Sequence, residues 1–165
     1  MRFFVSVIIV SQILCSCDGV PVQTVKLHTQ EFVISEALKR ANEYYEKDDF
    51  YNASLALDSI LLVDSNNGEV YYKKAVCLIF SEQNDSAIIY FERSADLEYK
   101  KADSFYNIGM MYYHLGSDSL SLVYLDKVLS ISPNDSFALN IKEKLLDRTN
   151  GQKNEGHSKF DFSSL

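Results

Sequence analysis

From about residue 35 onward, apolar and polar positions alternate in short blocks with helical spacing. Phe105, Ile108, Gly109 and Tyr112 recur at i, i+3, i+4 and i+7, one face of an α-helix. Polar turns part the blocks: Asp48-Asp49, Ser65-Asn66-Asn67-Gly68, Asn84-Asp85, Gly116-Ser117-Asp118 and Pro133-Asn134-Asp135. The spacing predicts helices over 35–47, 50–63, 70–81, 86–97, 104–115, 119–131 and 136–147. Asp49, Asp85 and Asp118 stand where the second helix of each pair needs an N-cap. Asp18 to Gln30 has no steady period, and Thr149 to Leu165 is polar and Gly-containing. Both are expected to lie outside the helical array, the first as a tether and the second as a disordered tail.

The blocks repeat. Ala41, Ala75 and Gly109 are each 34 residues apart, and a second small residue follows each by 12, at Ala53, Ala87 and Ser121. Tyr44, Leu78 and Tyr112 keep the register, as do Leu57, Phe91 and Leu125, and Ile60, Ser94 and Val128. Small residues at these places let two antiparallel helices approach closely. Gly109 is expected to be the tightest such approach.

This pattern resembles the tetratricopeptide repeat family, from about Ile34 to Asp135 with a helix beyond. The third copy carries the resemblance best, in Phe105, Ile108-Gly109, Tyr112, Gly116, Ser121, Leu125, Val128 and Pro133. The copies depart from the family where Arg40 and Lys74 replace a usual Leu, Ser65 and Tyr99 a usual Pro, and Ser121 a usual Ala. The resemblance implies an all-α fold: an α-solenoid of about three helix-turn-helix repeats over residues 34–148, closed by a C-terminal capping helix with an apolar stripe at 136–147.

The N-terminus is of another kind. Arg2 precedes a mostly apolar run from Phe3 to Leu14, too short to cross a bilayer comfortably and suited to the core of a secretory signal over residues 1–16. Leu14-Cys15-Ser16-Cys17 resembles a bacterial lipobox, which implies lipidation at Cys17, a tether over 17–33 and a lipid-anchored place in a bacterial cell envelope. Ordinary secretion with cleavage near Asp18, giving a soluble or periplasmic protein, is the competing reading. Cys77 then remains as a lone thiol inside an apolar helix pattern, expected to be a small core residue rather than a nucleophile.

Composition narrows the function. The 165 residues carry 16 Lys+Arg against 23 Asp+Glu, a formal net charge of −7, which gives no basic footprint for nucleic acid. His28, His114 and His157 lie in separate segments without metal-ligand spacing, so no metal or cofactor is expected. There is no Gly-rich phosphate loop and no nucleophile elbow, and the turn carboxylates are explained as caps; an enzyme is not expected.

What remains is a surface. In tetratricopeptide arrays the first helix of each repeat lines a concave groove, and the resemblance implies three walls here. Leu38, Asn42 and Tyr45 would make the first, Tyr72, Lys73, Val76 and Ile79 the second, and Tyr106, Asn107, Met110 and Tyr113 the third. Aromatic and apolar side chains facing water would suit a protein or peptide partner; the bland alternative has the segment before Ser35 folding back to cover them. The Lys, Asn and Arg set that clamps a C-terminal carboxylate in one subfamily is matched only at Asn42. Leu38, Lys73, Asp103 and Asn107 occupy the other places, so binding of chaperone tails is not expected. The first reading is a non-catalytic, membrane-anchored adaptor or assembly factor. The second is a structural subunit that self-associates into a homo-oligomer through the same groove, and the third an envelope enzyme. Phe160 and Phe162 in the tail are spaced like anchors that could compete for the groove.

Overall fold

The computed structural model describes residues 22–157, with side chains described from 29 to 149. The expected signal segment, Cys17, and Phe160 and Phe162 of the expected tail lie outside the described residues. Seven helices follow in order: α1 Val22–Tyr45, α2 Phe50–Leu61, α3 Gly68–Phe80, α4 Asn84–Asp96, α5 Lys101–His114, α6 Asp118–Ile131 and α7 Ser136–His157. There is no strand among the described residues. The chain forms two compact units, residues 1–66 and 67–165.

Two expectations about the ends are corrected. Helix α1 begins at Val22, within the segment expected to be a tether, and α7 continues to His157, within the expected tail. No Gly or Pro interrupts Val22–Tyr45, and Gln23, Lys26, Gln30 and Glu31 are good helix formers, so a helix forms there without an apolar stripe. It follows that residues 22–34 run on in line with α1 rather than folding back along it.

In the first unit α1 and α2 pair as a hairpin over a core of Ala37, Ala41, Ala53, Ala56, Leu57 and Ile60. In the second, α3 pairs with α4 and α5 with α6; α4 also packs on α5, and α7 on α6. One cluster joins Ala75, Leu78, Phe91, Ile108, Met111 and Tyr124; another joins Leu125 and Val128 to Ala138 and Leu145 of α7. Burying Ala138 and Leu145 there covers the last hairpin, as a terminal helix in a stacked array must.

The caps divide. Asp49 accepts from Asn52 N–H at 3.2 Å, as expected. Asp85 and Asp118 instead lie within their helices, after the N-cap residues Gln83 and Ser117, which make no side-chain cap bond. Asp118 pairs with Arg148 at 2.9 Å. Asn67 and Asp135 are the further side-chain caps, accepting from Val70 N–H at 3.1 Å and Ala138 N–H at 2.9 Å.

The departures from the family pattern are explained locally. Ser121 is fully buried, and its hydroxyl donates to the Gly109 carbonyl at 2.8 Å, so the polar atom is satisfied at a helix crossing. Ser94 reaches the Gly68 carbonyl at 2.9 Å and that of Tyr99 at 3.0 Å. Lys74 buries its stem where a Leu is usual and carries its ammonium over the Tyr90 ring, 4.7 Å from the centroid. A Cβ on Gly109, at its helix crossing, would meet Leu125 at 3.4 Å, an ordinary contact, whereas one on Gly68, which faces the turn after α4, would lie 2.7 Å from the Tyr99 Cβ.

Candidate functional site

The candidate residues of the second unit sit on α3 and α5, where the 34-residue register places them. Contacts between first helices join them into one face. Asn107 on α5 donates its side-chain N–H to the Tyr72 hydroxyl on α3, at 3.2 Å. Tyr106 meets Phe137 of α7 edge to face, with ring centroids 6.5 Å apart. The Arg148 guanidinium of α7 stands 4.9 Å from the centre of the Tyr113 ring. A polar and aromatic seam therefore runs from α3 across α5 to α7.

The side chains on this face are half-buried, which corrects the expectation that they stand in water. Tyr72 packs edge-on against Phe91, with centroids 5.3 Å apart, and Val76 and Ile79 close the same cluster. Tyr106 and Tyr113 lean on the cluster of Leu125, Val128, Ala138 and Leu145. Lys73 is held by Glu69 at 2.8 Å, one turn back on α3. Met110 is half-buried and lies between Tyr106 and Tyr113 in sequence. Each ring thus has a packed edge and a remaining edge, which fixes its orientation at little entropic expense on binding.

In the first unit Asn42 and Tyr45 are both exposed near the end of α1, and Tyr45 meets Phe50 edge to face at 5.2 Å. Leu38 is half-buried. These residues are described within that unit alone.

Sequence reasoning missed α7 as a wall of the face. Phe137 is 71% exposed, the largest apolar exposure among the described residues of the second unit, and it stands beside Tyr106. Carrying the 34-residue register one copy further would have found it, since Phe137 follows Asp103 by 34 residues and Arg148 follows His114 by the same interval.

Electrostatics around the face follow from burial. The Tyr106 phenol is pushed above its usual range by loss of water, with the Asp135 carboxylate adding to the effect. Away from the face, Tyr124 is pushed up more strongly by burial and by donating to Glu92, with Lys127 standing 4.2 Å over its ring. The Cys77 thiol is buried and pushed up to about 11, so it stays protonated at neutral pH, as suits a packing residue. Among the described residues no group of three or more His, Cys, Asp or Glu is placed to hold a metal ion. No described helix is long and apolar enough to cross a membrane.

Comparison with known proteins fits this architecture. Residues 68–101 and 102–135 match the tetratricopeptide repeat model, each match covering one hairpin of the second unit. The chain is 31% identical over 109 residues to the DnaJ homolog subfamily C member 3 of Bos taurus, covering 66% of this chain and 21% of that protein. The protein of that name from Gallus gallus is 28% identical over 103 residues, covering 62% and 20%. This chain therefore spans about a fifth of the curated relatives it matches.

Among solved structures, the tetratricopeptide domain of P58(IPK) superposes with a TM-score of 0.70 at 22% identity, covering 82% of this chain and 36% of that one. The second such domain of human RPAP3, solved with the HSP70 peptide SGPTIEEVD, gives 0.61 at 15%, covering 70% and 97%. At such identities the likeness concerns the fold. The chain has an all-α fold of the tetratricopeptide kind, built of helical hairpins, with two repeats at residues 68–135 and a helix packed after them.

Proposed function

We propose that the protein is a non-catalytic interaction module that holds a segment of a protein partner against the first-helix face of its second unit. The observation that carries this reading is the seam of Tyr72, Asn107, Tyr106, Phe137, Tyr113 and Arg148, in which aromatic rings are oriented by packing while part of each stays open. Oriented aromatic and Arg side chains are the usual anchors of protein interfaces. The RPAP3 domain was solved with an HSP70 peptide, which supports a segment of protein as the ligand class. The carboxylate-clamp residues of chaperone-tail binders are replaced here by Leu38, Lys73, Asp103 and Asn107, so the partner differs from those tails.

The cellular setting belongs to the same proposal. A lipid on Cys17 would anchor the repeats at a bacterial envelope membrane, the module serving there as an adaptor or assembly factor. Mass spectrometry of the mature N-terminus tests this part: a diacylated Cys17 supports it, and a free Asp18 or an intact Met1 overturns it. For the face itself, a photo-crosslinking residue placed at Met110 should capture a partner in intact cells, and one placed at Ile89, exposed on α4, should not. Capture from Ile89 alone would move the binding surface off the first helices.

Self-association is the second reading, favoured by the large apolar side chains exposed in the first unit, Phe32 at 69% and Leu62 at 87%. Light scattering on the isolated protein separates it, since only this version is multimeric without a partner.

A further inference from the structure

At one end of the face, the half-buried Tyr72 hydroxyl and the exposed Lys100 ammonium present donors with no protein acceptor among the described residues. Asn107 donates to the Tyr72 oxygen at 3.2 Å, so the Tyr72 hydroxyl must point its own proton elsewhere. The Lys100 ammonium stands 4.9 Å from the centre of the same ring. Among the described residues no carboxylate pairs with Lys100 and no acceptor meets the Tyr72 O–H. Two neighbouring acids are already engaged, Glu69 with Lys73 at 2.8 Å and Glu98 with Lys101 at 2.6 Å. Asp103 stands exposed on the first turn of α5.

The backbone holds Lys100 where it is at some expense. Its φ of 42° and ψ of 45° are left-handed, a conformation that disfavours a residue with a Cβ. The preceding Tyr99 is pinned by the Ser94 hydroxyl on its carbonyl at 3.0 Å. A strained residue that aims an unpaired cation at an aromatic ring is a reason to look for a ligand.

We propose that Lys100, Tyr72 and Asn107 form a subsite for the carboxylate of an Asp or Glu side chain within the partner segment, a detail that rests on the groove reading above. The carboxylate accepts from the ammonium and from the Tyr72 hydroxyl, while Asn107 holds that hydroxyl in place. The segment's neighbouring apolar side chains then lie along Tyr106 and Met110.

A peptide selection tests it. The full chain, immobilised in mild detergent, is panned against random twelve-residue peptides, and the enriched peptides are remade with amidated C-termini. Lys100→Asn is the variant of choice, because Asn tolerates the left-handed backbone and removes the charge. The expected result is that enriched peptides carry an Asp or Glu whose change to Asn or Gln weakens binding about tenfold or more on the parent chain, and less than twofold on Lys100→Asn. An acid whose neutralisation costs as much on the variant as on the parent overturns the subsite. So does binding that survives acid neutralisation but is lost on C-terminal amidation, which would make the ligand a terminal carboxylate. Peptides sensitive to Tyr106→Ala but indifferent to Lys100→Asn overturn the subsite and leave the groove standing. Peptides indifferent to both, or none enriched, overturn both.

Discussion

Single residues in this protein are governed by backbone conformation and by close approach. The turns inside the three hairpins each place one residue in the left-handed region at the same register position: Asp48 at φ 57°, Glu82 at φ 59° and Gly116 at φ 71°. Only the last is a glycine, which takes this conformation at no steric cost. Glu82→Gly is expected to raise stability by about 0.5–1 kcal/mol, the relief of left-handed strain less the entropy glycine loses on folding. Urea melts measure it, and an unchanged or lower midpoint would show that the turn carries no net strain. Gly68 and Gly109 should respond oppositely to Ala. Gly109→Ala meets Leu125 at an ordinary 3.4 Å and should stabilise by up to about 1 kcal/mol, since Ala is the better helix former. Gly68→Ala would set its methyl 2.7 Å from the Tyr99 Cβ, which cannot swing away, and should cost about 1–3 kcal/mol. Melts of the two variants moving in the same direction would refute the contrast. The sequence did identify Gly109 as a crossing point, yet not Gly68, because Gly68 reads locally as the last residue of a polar turn. Its neighbour Tyr99 is 31 positions away in sequence, where the family has a proline.

At the scale of elements, what was legible depended on period. Helices α2 to α6, and the end of α1, are where the apolar spacing puts them to within a few residues, because each buries one face and so must show it in sequence. The N-terminal half of α1 buries no regular stripe, so its helicity left no periodic trace, and only the absence of breakers hinted at it. At the other end, α7 outran its expected limit. Its apolar stripe ends near Leu146, while Arg148 is tied to Asp118 at 2.9 Å, and a turn fixed there lets the helix propagate, each added residue gaining a backbone hydrogen bond. The caps at Asp85 and Asp118 were misplaced because other polar residues stand just before each, Gln83-Asn84 and Ser117, and the helix starts there instead. The role of α7 as a cover can be measured. Leu145 is fully buried against Leu125 and Val128, and Leu145→Ala should cost about 2–5 kcal/mol, whereas Leu146→Ala, exposed one residue on, should cost little. Equal losses for the two in a denaturant melt would mean that α7 does not dock as described.

For the whole molecule, the fold was readable and the candidate face only half so. A 34-residue register specifies hairpins, and it puts Tyr72, Tyr106, Asn107, Met110 and Tyr113 on first helices, as the structure has them. It did not say how wet they are. Register gives direction along a helix, but burial depends on the next helix, and α7 turned rings expected in water into half-buried ones by bringing Phe137 and Arg148 beside them. The central claim is that this face, and not the outer face of the second helices, takes the partner. The most direct measurement is the affinity of the photo-captured partner for two folded double variants, each first checked for unchanged helicity. Tyr106→Ala with Tyr113→Ala should weaken binding about thirtyfold or more, as the loss of aromatic anchors worth about 2 kcal/mol implies. Ile89→Ala with Val123→Ala, both exposed on second helices, should leave it within about twofold. Unchanged affinity in the tyrosine variant, or a larger loss in the outer-face one, would contradict the account.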